Sequence, residues 1–189
     1  MGLMIHSLGE IPADAQRGYF VYLLDYGWDE PLGEVLFKNF DRMADQASRH
    51  NAVVLRGLVG SHFADEVLSW HHVNGQPAEK ILPAVLVTTK NPHEFRDGDG
   101  RRVDGHANNQ PMLLVPLREA CKSTSDVATL IERMFADIRE GKELSNFQIA
   151  QELQRGKHGA LADALILRPT FSGVGIDLKQ IYAWFRGRV

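Results

Sequence analysis

The sequence predicts an α/β fold of order β-α-β-α-β-β-α, followed by a helical C-terminal extension. Three observations lead there. Four short runs, "GYFVYLLD", "NAVVLRGLV", "PAVLVTT" and "MLLVPL", are rich in aliphatic and aromatic residues and bounded by Gly, Asn or Pro. Between the first three lie stretches with apolar residues every three or four positions, the stripe of a helix laid on a sheet. No such stretch separates the last two runs, so they can pair as an antiparallel hairpin while the crossovers make the rest parallel or mixed.

Each element follows from its residues. Gly18 to Asp25 reads as a buried strand ending at Tyr26-Gly27. The stripe Leu32, Val35, Leu36, Phe40, Met43, Ala44 and Ala47 predicts one long helix. Pro31 suits its first turn, and Asp29 and Glu30 suit its positive end. Asn51 to Val59 is a second strand, with Gly57 and Gly60 at its exit and Ser61 as the expected N-cap of a short helix carrying Phe63, Val67 and Trp70. Asn74-Gly75-Gln76-Pro77 stops that helix. Pro83 to Thr89 is a third strand. A polar connection of about 20 residues leads to a fourth strand, Met112 to Leu117; loops this long are functional or mobile. Val127, Leu130, Ile131, Met134, Phe135 and Ile138 mark the last helix of the unit, with Ser and Thr at its start and Gly141 at its end. The division is an N-terminal arm over 1–17, the α/β domain over 18–141 and a helical extension over 142–189.

The totals exclude several classes. The chain has 189 residues, 44% hydrophobic and 24% charged, with a formal net charge of −3. That is ordinary globular composition, and it provides no global field toward nucleic acid or an anionic membrane. A single cysteine, Cys121, forbids an intrachain disulfide and suits a reducing compartment. No run reaches the roughly 20 apolar residues of a membrane span. The first residues lack the basic and apolar regions of a secretory signal, so the expected location is the cytoplasm, or the periplasm if a signal has been removed.

Several stretches invite a chemical reading. His71-His72 is the only adjacent pair among eight histidines. Neighbours on a helix point about 100° apart and cannot chelate one ion together, so His71 reads as a packed, hydrogen-bonded residue. "DGDGRRVDG", with Asp97, Asp99 and Asp104, lacks calcium-loop spacing and reads as a solvated turn. Gly57 to Ser61 lies between strand and helix, where a phosphate cradle belongs, and Arg56 offers a cation beside it. It lacks the P-loop lysine, so the chief alternative reading is an ordinary glycine turn. Cys121 precedes a helix that could activate it, or is simply buried. Leu178, Ile181, Tyr182, Trp184 and Phe185 crowd the last residues beside Lys179, Arg186 and Arg188, and form a candidate interface for a protein partner or a second copy. No metal or cofactor is expected.

Residues 28–32, Trp28-Asp29-Glu30-Pro31-Leu32, complete the pattern. A strand, Trp-x-x-Pro-x and then a helix resembles the thioredoxin frame Trp-Cys-Gly-Pro-Cys. Leu82-Pro83 before a strand matches the place of that family's cis-proline, and the closing β-β-α matches its end. The resemblance spans roughly residues 18–140 and implies a thioredoxin-like sandwich. "VVLRGLVGSHF" with "PAVLVT" (Val54, Leu55, Arg56, Gly57, Leu58 and Phe63, then Pro83 to Thr88) is similar to the F-type conjugative pilus assembly family TrbC, also thioredoxin-like. The departure decides the chemistry. Disulfide exchange needs an attacking thiolate and a resolving thiol, and here Asp29 and Leu32 stand in those positions. The sequence therefore implies a redox-inactive, non-enzymatic interaction or assembly subunit. The alternatives are a nucleotide- or phosphate-recognising domain using Gly57 to Ser61, and a pilus assembly component.

Overall fold

A computed structural model describes residues 1–26, 30–71, 73–74, 78–96, 112–155, 166–167 and 176–177. Eight strands are seen among them: β1 (Gly2–Ile5), β2 (Tyr19–Leu24), β3 (Ala52–Gly57), β4 (Val73–Asn74), β5 (Ala84–Thr88), β6 (Met112–Pro116), β7 (Ile166–Leu167) and β8 (Ile176–Asp177). The helices are α1 (Pro31–Lys38), α2 (Phe40–Arg49), α3 (Phe63–Trp70), α4 (Pro92–Arg96), α5 (Leu117–Ala120), α6 (Thr124–Arg139) and α7 (Gln148–Arg155).

Six strands form one mixed sheet in the order β1-β3-β2-β5-β6-β7. β1 and β2 both run parallel to β3, which lies between them, while β5 is antiparallel to β2 and to β6. Helices cover both faces, so β2, β3, β5 and β6 each have two buried sides. That is why the strands read as continuous apolar runs rather than alternating ones. Alternation still sorts the side chains. Val21, Leu23, Val54, Val85 and Leu113 point to a core shared with α1, α2, α6 and α7. Phe20, Tyr22, Leu55, Leu86 and Leu114 point to a second core, closed by α3 and by Leu8 and Ile11.

Four expectations are corrected. Residues 1–17, read as an arm, contribute edge strand β1 and three buried residues, Ile5, Leu8 and Ile11. The segment is tied down where the Glu66 carboxylate accepts from Ser7 Oγ at 2.7 Å and from the Leu8 amide at 2.9 Å. Asn91 Nδ2 also donates to the carbonyls of Pro12 and Ala15. The long helix breaks at Asn39, whose side-chain amide donates to the Val35 carbonyl at 2.9 Å. An Asn that bonds back to its own helix competes with continuation, although the apolar stripe runs on through Phe40 and Met43. Ser61 does not cap α3: the N-cap is His62, and the Ser61 hydroxyl donates instead to the Leu58 carbonyl at 2.7 Å. Among its described residues, the extension is helical at α7 and at the 3₁₀ turn Leu144–Asn146, but it also supplies β7 against β6 and β8 parallel to β4. β7 takes the backbone groups that β6 would otherwise leave open at a sheet edge.

The last helix behaves as expected. Ser123 and Asp126 form a reciprocal capping box at the start of α6, and Gly141 lies just beyond its end with φ +65°.

Candidate functional site

The frame that prompted the resemblance lies at one end of the sheet, where β2 leaves and α1 begins. Leu24, Ala84 and Pro116 sit side by side in register across β2, β5 and β6. The peptide bond Leu82–Pro83 is cis, and the Pro83 carbonyl accepts from the Leu117 amide at 2.8 Å. The start of α5 is thereby held beside the start of α1. Pro31 occupies the first turn of α1, and Glu30 is its N-cap, with extended φ and ψ. Glu30 does not cap through its side chain. Its carboxylate takes a two-pronged bond from Arg118 of α5, at 2.8 Å from Nε and 2.5 Å from Nη2. Such a fork fixes the relative placement of two helix starts more than it adds energy.

Beneath this pair, Leu32 packs against the core shared with α6. Leu32 is half-buried, and its hydrocarbon side chain supplies no resolving thiol. Gly33 lies directly on the Asp25 carboxylate, and a Cβ at position 33 would overlap Asp25 Oδ2. Glycine is required by close approach, not by turn geometry. Tyr26 reaches across to α3 and donates its hydroxyl to Asp65 at 2.5 Å. Trp28 and Asp29 lie outside the described residues. The described part of the site is thus a carboxylate–guanidinium pair, a half-buried carboxylate and a tyrosine, with no thiol.

No family model, curated protein or solved structure matches this chain.

The second candidate is not assembled. Successive residues of a strand face opposite sides. Arg56 turns toward α1 and α2, its guanidinium 4.2 Å from the centre of the Phe37 ring and 5.4 Å from that of Phe40. Gly57 turns toward α3, where a Cβ would overlap Phe63 and come within 2.8 Å of Ser61 Oγ. The turn is closed by Ser61 on Leu58 and passes through Gly60 at φ +82°. The first turn of α3 also carries Asp65 and Glu66, whose negative charge occupies the field an incoming anion would use. Arg56 and the Gly57–Ser61 turn therefore do not converge on one ligand.

Cys121 is buried, 5% exposed, and its thiol is pushed up to about 11, first by burial and then by the Asp126 charge. The thiolate is the reactive form, so helix activation does not apply. The raised value has a sign. The buried neutral thiol contributes stability below the ordinary value of 9.0, and that contribution is lost as pH rises through about 11. Folded protein at pH 8 is expected to react with a thiol reagent only as fast as it opens. A burst of labelling in native buffer would contradict this.

His71 is fully buried, with Nδ1 2.7 Å from the Val67 carbonyl and its ring against Tyr22 and Phe95. Among the described residues, no group of three or more metal-ligating side chains converges, and no helix is long and apolar enough to cross a membrane. His72, the 97–111 segment and the tail residues Leu178, Ile181, Tyr182, Trp184 and Phe185 lie outside the described residues. Sequence reasoning missed Arg118, the partner of Glu30, because nothing in local spacing links positions 88 residues apart. It could have separated Arg56 from Gly57, since strand alternation alone puts them on opposite faces.

Proposed function

We propose that this chain is a redox-inactive, thioredoxin-like protein-interaction or assembly subunit. The strand order β1-β3-β2-β5-β6, with its parallel half and antiparallel half, supports the thioredoxin-like arrangement. So does the cis Leu82–Pro83 bond beside the start of α1. The observation that carries the functional reading is the state of the helix entry. Leu32 is a half-buried hydrocarbon packed against the core, Glu30 is tied to Arg118, and the single cysteine is buried at the C-terminal end of α5. The frame then positions α1 and α5 without supplying an electron path. Assembly of a conjugative pilus is one setting for such a subunit, on the strength of the resemblance of Val54, Leu55, Arg56, Gly57, Leu58 and Phe63, with Pro83 to Thr88, to the pilus assembly family.

The test joins an activity to a partner. Insulin reduction with dithiothreitol should stay at background. Photo-cross-linking of the full chain in native lysate should return one discrete protein. Turnover that survives Cys121→Ser would overturn the redox-inactive reading, and cross-linking that yields no specific partner would overturn the interaction reading.

A further inference from the structure

We propose that the free edge of β1 takes up an extended peptide carrying an acidic side chain, which adds to the sheet as a seventh strand. This rests on the interaction reading and names the chemistry of the partner.

The backbone carries the first part. Among the described residues, β1 is the last strand on its side of the sheet. The carbonyls of Met1 and Ile5 accept from the amides of Val54 and Leu58, at 2.8 and 3.0 Å. Odd-numbered residues thus turn their backbone groups toward β3. In a parallel ladder the groups of the alternate residues, Gly2 and Met4, point away. Two N–H donors and two carbonyl acceptors are left in strand geometry, with no partner among the described residues. Sheet edges are ordinarily blunted by a charge, a proline, a bulge or a cover. The sequence "GLMI" carries no charge and no proline, and the opposite edge of the sheet, at β6, is covered by β7. Gly2 also lets α2 approach closely, since a Cβ there would come within 2.5 Å of Ala44 Cβ. The strand is therefore held firmly against α2, and among the described residues nothing covers its outer edge.

The flanking side chains carry the second part. Met4 is 54% exposed and Val59 is 96% exposed, apolar surface next to an open strand. Arg56 is in register with Met4 and shares its face. Its guanidinium lies over the Phe37 ring and, among the described residues, makes no ion pair or hydrogen bond, and its Nε is buried without an acceptor there. Asp41 acts on it only at longer range. An extended peptide on β1 would satisfy the four backbone groups, cover Met4 and place a carboxylate toward Arg56. This is strand addition, with main-chain bonds giving affinity and alternate side chains giving specificity.

A second copy fits less well. Residues 1–6 hold no carboxylate for Arg56. Two four-residue strands also bury far less than the roughly 1,200–2,000 Å² of a stable interface.

The experiment pans a phage-displayed random heptapeptide library against the full chain. Enriched peptides should alternate apolar and polar residues and carry one Asp or Glu. A synthetic enriched peptide should bind Met4→Pro at least tenfold more weakly, because that change removes an outward N–H and leaves the ladder to β3 intact. Arg56→Gln should weaken the acidic peptide about tenfold and leave its Glu→Gln or Asp→Asn analogue unchanged. If Met4→Pro does not fold, amide exchange on the unaltered chain decides, since a bound peptide must protect the Met4 N–H. No enrichment, or binding indifferent to both substitutions, overturns the proposal. So does a dimer in light scattering that Met4→Pro dissociates, which would give the edge to a second copy. A lysate partner still captured by both variants overturns the edge site while leaving the interaction reading in place.

Discussion

Truncating Phe147 to alanine is expected to cost about 3–5 kcal/mol, the usual penalty for emptying a fully buried aromatic site. Phe147 is 0% exposed, and its ring centre lies 5.9 Å from that of Tyr19 on β2. It belongs to the same core as Leu144, Ile149 and Ala150, so the extension up to Ala150 at least is part of the domain's packing. The Tyr19 hydroxyl strengthens the seam by donating to the Lys142 carbonyl at 2.6 Å. For a chain of this size the loss corresponds to a fall in Tm of roughly 10 °C, read by calorimetry. A fall below about 2 °C would mean that residues 142–150 are only loosely attached.

Asp137→Ala is expected to cost about 3 kcal/mol, measured by urea denaturation with the m-value unchanged. The carboxylate is fully buried at the inner side of α6. It accepts from Lys142 Nζ at 2.7 Å, from the Gln148 amide at 2.7 Å and from Gln148 Nε2 at 3.3 Å. The amide is the first of α7, so one buried acid caps one helix from the flank of another. Removing it leaves that N–H without its acceptor inside the fold. Asp137→Asn keeps the shape and one acceptor, and should lose less. Equal losses for the two variants would show that charge plays no part in holding α7.

The sequence was most readable where burial was most complete. β2, β3, β5 and β6 announce themselves because both their faces are covered, leaving no polar alternation to confuse the pattern. The α6 stripe, with its Ser123 and Gly141 ends, was equally plain. β1 was missed because four residues between Met1 and His6 are too few to show a period, and its partner is about fifty positions away. The break at Asn39 was invisible for the opposite reason: the apolar stripe continues across it, and only a side-chain bond to Val35 interrupts the helix. β7 and β8 owe their existence to open backbone on β6 and β4, which no window of local sequence records. At the candidate site, the inert chemistry of Leu32 was legible from residue type alone. The clasp of Glu30 by Arg118 was not, because it depends on α5 being brought beside α1.

The pairing of β1 with β3 has a consequence for synthesis on the ribosome. Gly2 is registered with Val54, so β1 waits through about fifty further residues of synthesis for its neighbour, longer than any other strand of the six-stranded sheet. At translation rates of about 5–20 residues per second, the chain must grow for roughly 3–10 s before β3 has been made. During that interval the "GLMI" segment has no ladder, and Ile5 has no core to enter. Factors that shield emerging chains near the exit tunnel would meet this segment unpaired, and its release must await β3, the strand that comes to lie between β1 and β2.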